Sequence, residues 1–280
     1  MTKDQLFTRR RALLAGAAAL GAVGTAGLVF SGTEDTGPAP QSASAPGPQA
    51  RPVLKSSTYR LQPLVGDGPP AAAPTRLRVR HAPILRMSGA GRHMLLTFDD
   101  GPDPEFTPHI LDTLAQYDVR ATFFVCGGMA DLSRDLVARI ADEGHVVGNH
   151  TWSHPLLTQL RRSRIRSEME RTSDLVEKAC GERPRWFRAP YGAWNRDVFQ
   201  LGAEMGMEPL AWTVDSLDWT DPGTRIIVRR VEDGAAPGVV VLNHDAGGYD
   251  RAQTVNAVRT YLPRLLDDGY HMTVPRREYI

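Results

Sequence analysis

The sequence has almost no net charge. Its 33 lysine and arginine residues are balanced by 32 aspartate and glutamate residues, which leaves a formal net charge of +1 at pH 7. Without a general basic field the chain has no electrostatic basis for binding nucleic acid, so we expect no nucleic-acid partner. The composition, 41% hydrophobic and 23% charged, also excludes a chain that is disordered throughout or that mainly fills a membrane.

Cysteine is scarce as well, with only Cys126 and Cys180 in the chain. Cys126 lies in the strand-like run ATFFVC, and Cys180 ends a helical pattern just before Gly181. A chain of this length can bury a core without covalent cross-links, so we interpret both cysteines as free thiols rather than as a disulfide. Their spacing does not fit a zinc site either.

A local run of basic charge lies between Arg161 and Arg166, where the sequence reads RRSRIR. Acidic residues follow this run at helical spacing, which favours a solvated helix face. Contact with an anionic polymer is the alternative interpretation.

The N-terminus has the layout of an export signal. A basic segment with arginine at positions 9–11 precedes small and apolar residues from Ala12 to Phe30. The arginines resemble the twin-arginine signal, which directs the export of folded proteins. We therefore predict that residues 1–32 are an export signal, or an uncleaved anchor in the bacterial plasma membrane, because the apolar segment is close to the length that spans a bilayer. Either way the protein would be secreted or face the cell wall.

Residues 33–90 are dense in proline, alanine, glycine and serine. Such a composition cannot build a core, so the segment is predicted to be a linker. Two alternating pieces within it, STYRLQPLV and RLRVRHAPILRM, are candidates for short edge strands. The remaining predicted domain covers residues 91–276.

After Gly91, strand patterns alternate with helical patterns. The strand patterns are HMLLTF, ATFFVC, HVVGN, RWFRAP, EPLAWTV, GVVVLNH and YHMTV. Amphipathic stretches lie between them, and several of these end in glycine, as helices often do. The alternation indicates parallel βαβ units, which leaves a doubly wound open sheet or a (β/α) barrel as the fold.

Polar residues stand where these strands end. They are Asp99, Asp100, Asn149, His150, Arg188, Asp215, His244 and Asp245. In a barrel the carboxyl ends of the strands meet at one rim, where active sites of this architecture are built. We therefore expect these side chains to lie together at an active site.

His150 and His154 are four residues apart, in the segment NHTWSHP. On a helix or a tight turn this spacing brings two imidazoles to one side, where they can share a metal ion; two unrelated loop histidines are the alternative. A carboxylate from another strand end would complete a His/His/Asp set with an open position. That set suits a catalytic zinc or a similar divalent ion, which activates water and polarises a carbonyl.

Five segments together resemble the motifs of a known family. In order, they are TFDDGP, HTWSHP, RAPYG, DSLDW and LNH. Over residues 91–275 the sequence resembles the polysaccharide deacetylase family, also called the NodB homology domain or carbohydrate esterase family 4. The resemblance implies a distorted (β/α) barrel with about seven parallel strands. It also implies a hydrolase that removes N-acetyl groups from a glycan and releases acetate and a free amino sugar.

The resemblance further implies a role for each motif residue. Asp99 would be the general base, and Asp100, His150 and His154 would be the metal ligands. His244 would be the general acid that protonates the leaving amine.

The other motif residues would support these groups or contact the substrate. Arg188 would orient Asp99 and keep it ionised, and Asp218 would support the acid or pair with Arg188. The backbone N–H of Tyr191 would help to hold the oxyanion. The substrate-binding residues would be Pro190, Trp219 and Leu242, with Leu242 forming a wall for the acetyl methyl group.

The implied cofactor is a divalent metal, Zn²⁺ first, although Co²⁺ and Ni²⁺ share this ligand set. The implied partner is an N-acetylated polysaccharide or oligosaccharide outside the membrane, either peptidoglycan or a chitin-like glycan. We expect a monomer that contacts the membrane only through the possible anchor. Two alternatives stay open: an O-acetyl-xylan esterase or related amidohydrolase on the same scaffold, and an inactive member that only binds glycan.

Overall fold

Strands and helices alternate along the part of the chain that the structure describes, residues 77–89, 91–248 and 250–279. The strands of this computed structural model are β1 (His93–Asp99), β2 (Thr122–Val125), β3 (Val146–Asn149), β4 (Trp186–Phe187), β5 (Glu208–Pro209), β6 (Val214–Asp215), β7 (Val240–His244) and β8 (His271–Met272). The helices are α1 (Thr107–Gln116), α2 (Gly127–Leu132), α3 (Arg134–Asp142), α4 (Arg162–Cys180), α5 (Arg196–Glu204), α6 (Thr224–Asp233) and α7 (Ala252–Asp267). The predicted export signal and most of the predicted linker lie outside the described residues.

The strands form one parallel sheet in the order β5-β4-β3-β2-β1-β7-β6, and β8 pairs with the start of β1. The strand β1 is central and pairs with β7 from Leu95–Val240 to Asp99–His244. The helices lie between successive strands, as parallel crossovers require. This arrangement is a distorted, incomplete (β/α) barrel, which confirms the predicted fold class. In the described part of the chain, no helix has the length and apolar character needed to cross a membrane.

The predicted strand EPLAWTV is divided in two. Its first residues form β5, which pairs with β4, and its last residue begins β6, which pairs with β7 at the other edge of the sheet. Between these strands the carbonyls of Leu210 and Ala211 accept hydrogen bonds from the Arg188 side chain instead of from a neighbouring strand. The continuous apolar run therefore marks a buried segment but not a single strand.

The described end of the predicted linker contacts the barrel between these two edges. Ile84 forms a parallel bridge with Leu210, and Arg86 forms an antiparallel bridge with Val239. Ile84 and Met87 are buried in a cluster whose other fully buried members are Leu95, Phe124, Trp186, Leu210 and Val240. Ile84 and Met87 therefore contribute to the barrel interior.

Alternate residues of β1 face opposite sides of the sheet, as the pleat of a strand requires. Met94, Leu96 and Phe98 belong to the large core cluster beneath the helices, whereas Leu95 belongs to the interior cluster. The same alternation directs Asp99 to the barrel interior.

The remaining sequence interpretations concern the thiols and the basic run. Cys126 and Cys180 do not form a disulfide, as predicted. Arg162 pairs with Asp197 and Glu204 of α5, at 2.9 and 2.6 Å. This pairing agrees with the interpretation of the run as part of a helix face whose charges are balanced within the molecule.

Candidate active site

The carboxyl ends of the parallel strands bring the predicted site residues together. Asp99 ends β1 and lies beside His244, the last residue of β7, in the strand register. His150 directly follows β3, and Arg188 directly follows β4. Parallel strands share one rim for their carboxyl ends, so residues far apart in the sequence converge there.

Asp100, His150 and His154 form a group of potential metal ligands. Asp100 Oδ1 lies 3.6 Å from His150 Nε2 and 3.3 Å from His154 Nε2. The three ligand atoms lie within 4.8 Å of one another. A search of the described residues for such groups of potential ligands finds this one. The structure therefore brings together the three residues that the sequence predicts as ligands.

The protonation of His150 fits a metal ligand. Its Nδ1 lies 2.7 Å from the Arg188 carbonyl oxygen, which can only accept a hydrogen bond. Nδ1 must then carry the proton, so the lone pair of Nε2 faces Asp100. Burial lowers the pKa of His150 to about 3, which keeps the imidazole neutral. A neutral imidazole with its lone pair directed at a carboxylate fits a divalent cation.

The loops that present these ligands contain non-glycine residues in left-handed backbone conformations. Asp100 has a φ of 75°, Thr151 a φ of 67° and His154 a φ of 54°. Such conformations are unfavourable for residues with a Cβ and persist where surrounding contacts hold them. The ligand loops are therefore held in shape by tertiary contacts rather than by local preference.

Arg188 anchors Asp99 from beneath. The fully buried guanidinium donates from Nη1 to Asp99 Oδ1 at 2.7 Å and to Thr97 Oγ1 at 2.8 Å. Its Nε and Nη2 atoms donate to the carbonyls of Leu210 and Ala211 at 3.1 and 3.0 Å. These four bonds fix the orientation of the guanidinium and, through it, of Asp99.

The net electrostatic effect on Asp99 differs from the sequence expectation. Burial raises the pKa of Asp99 and outweighs Arg188, which acts to lower it. The prediction that Arg188 keeps Asp99 ionised therefore names only the smaller of two opposing effects. A carboxylate whose pKa is raised towards the working pH is the more effective general base. Its second oxygen, Oδ2, lies 3.6 Å from His150 Nε2 and so faces the metal ligands.

Asp218 is paired with His244 and not with Arg188, which resolves the alternative left open by the sequence. Its Oδ1 lies 2.7 Å from His244 Nδ1, and its Oδ2 accepts the backbone N–H of His244 at 2.8 Å. Oδ2 also accepts the Thr254 hydroxyl at 2.8 Å. The fully buried carboxylate is thus held from three directions.

This pair sets the protonation of His244. Burial alone would lower the pKa of His244, but the charge and hydrogen bond of Asp218 raise it to about 9. The pKa of Asp218 is lowered: burial raises it, but the charge and hydrogen bonds of His244 together with the charge of Arg251 outweigh burial. The site therefore holds a protonated histidine beside Asp99, as an acid–base pair requires.

The predicted substrate-contact residues lie around this centre. Tyr191 is exposed, has a φ of 61°, and its ring lies 4.6 Å from the His154 ring. Trp219 is 55% exposed and follows Asp218 directly. Leu242 is buried on β7, two residues before the acid and hence on the same face, and Pro190 is buried beside Tyr191.

Asp245 is a buried acid to which the sequence analysis gave no role. Its Oδ2 accepts the Thr107 hydroxyl at 2.6 Å, and its backbone N–H donates to the Asp99 carbonyl at 3.2 Å. Burial raises the pKa of Asp245 to about 7. A Cβ at Gly101 would lie 2.2 Å from this carboxylate. Asp245 therefore packs directly beneath the turn that follows Asp99 and Asp100.

Glu168 on α4 is a buried acid outside the residues predicted from the sequence. It is 1% exposed and lies beside Met169, between the buried residues Ile165 and Thr172. A signal for it existed, because a charged residue on the apolar stripe of an amphipathic helix requires a buried partner.

Asp99 and His244, the candidate base and acid, end neighbouring strands, and Asp99 lies next to the group of potential metal ligands. These groups, placed at the carboxyl rim of a (β/α) barrel, define a metal-dependent hydrolase.

Comparison with known proteins narrows this class. The polysaccharide deacetylase model matches residues 87–210. A chitooligosaccharide deacetylase of Rhizobium leguminosarum bv. trifolii is 38% identical over 207 residues, which is 70% of this chain and 96% of that protein. A peptidoglycan-N-acetylglucosamine deacetylase of Bacillus cereus is 38% identical over 174 residues, 62% of this chain and 63% of that protein. The crystal structure of the Bc1960 peptidoglycan N-acetylglucosamine deacetylase is 35% identical, with a TM-score of 0.65 over 68% of this chain and 88% of that chain.

The chain therefore belongs to the polysaccharide deacetylase family. This membership confirms the predicted resemblance and the hydrolase class. The roles of individual residues stay predictions.

Proposed function

We propose that the protein is a metal-dependent hydrolase that removes N-acetyl groups from a glycan outside the cytoplasmic membrane, either peptidoglycan or a chitin-like polymer. The observation that carries this proposal is the group of Asp100, His150 and His154, with Asp99 and His244 beside it on neighbouring strands. The names of the relatives, chitooligosaccharide and peptidoglycan deacetylases, support an N-acetylated glycan as substrate.

Asp100, His150 and His154 would hold the metal, with Zn²⁺ first and Co²⁺ or Ni²⁺ as alternatives. When bound, the ion supplies a Lewis acid that polarises the acetamide carbonyl and lowers the pKa of water. The neutral imidazole of His150 and the carboxylate of Asp100 suit this role because both present lone pairs at the same point.

Asp99 acts as the general base. Arg188 occupies Oδ1, so Oδ2 is the atom left to accept a proton from the attacking water. Attack of that water on the acetamide carbon produces a tetrahedral species with a negative oxygen. The backbone N–H of Tyr191 is proposed to donate to this oxygen, as an oxyanion-hole donor does.

His244 acts as the general acid. Asp218 accepts a hydrogen bond from Nδ1–H, which leaves Nε2–H free to protonate the departing nitrogen. The C–N bond then breaks and releases a free amino sugar and acetic acid, which ionises to acetate in water. One proton has passed to Asp99 and one has left His244, so a net proton transfer between the two restores both groups.

The exposed rings of Tyr191 and Trp219 are proposed to contact sugar rings of the polymer, because aromatic side chains offer large, rigid apolar faces. Leu242 and Pro190 are proposed to shape the pocket for the acetyl methyl group. A monomer is expected to suffice, since every proposed site residue comes from this one chain.

Export is proposed from the N-terminal segment, with residues 1–32 as the signal or anchor and residues 33–90 as the linker to the catalytic domain. A polymer outside the membrane accords with the peptidoglycan named for the relatives. Replacement of arginines 9–11 by lysine should retain the protein inside the cell.

The deciding experiment measures acetate release from N-acetylglucosamine oligomers, peptidoglycan and acetylated xylan, with and without a chelator. We expect release from the N-acetylated substrates, loss of activity with the chelator, and recovery on adding Zn²⁺ or Co²⁺. Release from acetylated xylan alone would favour the O-acetyl esterase alternative. A lack of release from every substrate after metal addition would favour a member that only binds glycan.

A further inference from the structure

Helix α4 contributes a buried carboxylate to the loop that presents both histidines. Glu168 Oε2 accepts the backbone N–H groups of Trp152 and Ser153 at 3.1 and 2.8 Å, and both carboxylate oxygens lie 3.1 Å from Ser153 Oγ. Arg164, one turn earlier on the helix, pairs with Oε1 at 2.9 Å. Trp152 and Ser153 are two of the three residues between the two histidines, so the acid binds the loop that joins them.

The loop needs such a contact because its backbone is unfavourable. Thr151 and His154, which flank the two bound N–H groups, both have positive φ angles. Consecutive N–H groups that converge on one oxygen form a cradle for negative charge. Glu168 fills this cradle. Its side chain is 1% exposed, and because a buried carboxylate without hydrogen-bond partners is unfavourable, it should keep these N–H groups as partners.

The two histidines differ in what holds them. The His150 ring is fixed by its own hydrogen bond from Nδ1 to the Arg188 carbonyl. Among the described residues the His154 ring makes no comparable hydrogen bond; its Nε2 lies 3.3 Å from Asp100 Oδ1, and its ring packs against the rings of His150 and Tyr191. The position of His154 therefore depends on the conformation of its backbone.

We propose that Glu168 is a positioning residue for the metal ligand His154, acting by holding the Trp152 and Ser153 N–H groups. The inference rests on the proposed metal site. Removing only the charge of Glu168 should weaken metal binding less than shortening the side chain, because an uncharged oxygen in the same place can still accept both N–H groups.

Two substitutions separate reach from charge. Glu168→Asp keeps the charge but shortens the side chain by one methylene, so it cannot reach both N–H groups. Glu168→Gln keeps an oxygen at the same distance but removes the charge. Glu170→Asp, on the same helix and paired with Arg166 near the surface, is the matched control. Val176→Ala, buried on α4, controls for general loss of helix packing.

The affinity of each full-length apo protein for Zn²⁺ is measured by competition with a chelator, and the Co²⁺ form is examined by its visible absorption spectrum. We expect Glu168→Asp to weaken Zn²⁺ binding about 10- to 100-fold, in the range found for residues that orient metal ligands. It should also alter the Co²⁺ spectrum. Glu168→Gln should lose less affinity, Glu170→Asp should match wild type, and Val176→Ala should lower the melting temperature without changing metal affinity.

The outcomes distinguish this inference from the proposed function. If the wild-type protein binds no metal, the proposed metal site is wrong. If the wild-type protein binds metal and Glu168→Asp binds it equally well, the inference on Glu168 is wrong. A greater loss in Glu168→Gln than in Glu168→Asp would also overturn it, because charge rather than reach would then be responsible. Equal losses of Zn²⁺ affinity in Glu168→Asp and Val176→Ala would overturn it too, because general loss of helix packing would then explain both.

Discussion

The adjacent acids Asp99 and Asp100 have different surroundings although they are neighbours in the chain. Asp99 is the last residue of β1, faces the barrel interior and pairs with Arg188. Asp100 has left the strand with a φ of 75° and faces His150 and His154. Each carboxylate therefore has its own partner, which explains how two like charges can be placed side by side.

This difference predicts opposite behaviour for two similar substitutions. Asp99→Asn should keep the bound metal and lose about 10²- to 10⁴-fold in kcat, the usual contribution of a general base. Asp100→Asn should lose the metal, because an amide oxygen is a weaker ligand than a carboxylate. Metal content and kcat of the purified variants are the measurements, with the exposed Asp118→Asn as control. Normal turnover in Asp99→Asn would contradict the assignment of the base.

The pair of His244 and Asp218 predicts a change in pH dependence. Asp218 raises the pKa of His244 from its ordinary value of 6.5 to about 9, against the effect of burial. An acid must be protonated to act, so activity should fall as the pH rises through this pKa. In Asp218→Asn the effect of burial prevails, the pKa of His244 falls, and the alkaline limb should move to lower pH.

The pH profile of kcat/KM for wild type and Asp218→Asn tests this prediction. Thr254→Val is a graded comparison, since it removes one hydrogen bond to Asp218 but leaves the charge. An alkaline limb at the same pH in wild type and Asp218→Asn would show that His244 is not the group that titrates.

At the scale of elements, the sequence predicts the strand ends but not all of their partners. The apolar runs predict β1, β3 and β7 and place Asp99, Asn149 and His244 at their ends, because a strand buried on both faces is a continuous hydrophobic run in the sequence. The segment EPLAWTV is such a run too, yet it forms parts of two strands. Hydrophobicity indicates that a segment is buried. It does not indicate whether the backbone of that segment bonds to a neighbouring strand or to a side chain.

The partners of two single buried acids were also beyond sequence reasoning. Asp245 and Glu168 each act on a loop that is remote in sequence, so no local pattern names their partners. Short α2 was missed for a different reason: Gly127–Leu132 is too brief to show helical periodicity.

The turn after β1 gives a prediction about packing between elements. A Cβ at Gly101 would lie 2.2 Å from Asp245 Oδ2, well inside contact distance. We expect Gly101→Ala to lower the free energy of unfolding by about 1–3 kcal/mol, as overpacking of a core does. The added methyl should also displace Asp100 and weaken metal binding.

The double variant Gly101→Ala/Asp245→Ala checks the cause, because removal of the carboxylate relieves the overlap. Urea unfolding gives the free energy of unfolding of all three variants. The decrease in the double variant should be smaller than the sum of the decreases in the two single variants. Strict additivity would mean that Gly101 is required for a reason other than its contact with Asp245.

At the scale of the whole molecule, the barrel interior is completed by residues that precede the predicted domain. Ile84 and Met87 are buried with Leu95, Trp186 and Leu210, although their surrounding composition is that of a linker. The sequence nevertheless offers the piece PILRM as the end of the candidate edge strand RLRVRHAPILRM, and Ile84 and Arg86 form isolated β-bridges there. Leu85, which is 49% exposed, and Arg86 lie between Ile84 and Met87 on the surface, so the two buried residues are three positions apart rather than at the two-residue spacing of a regular strand.

This packing also connects the N-terminal segment to the catalytic centre. Ile84 exchanges backbone hydrogen bonds with Pro209 and Ala211, and the Ala211 carbonyl accepts from Arg188, which holds Asp99. We expect Ile84→Ala to lower the free energy of unfolding by about 2–5 kcal/mol, the usual cost of removing a buried isoleucine. Leu85→Ala, one residue away, should change it by no more than about 0.5 kcal/mol. Urea unfolding of both variants is the measurement, and equal stability of the two would show that residues 84–87 do not form part of the barrel core.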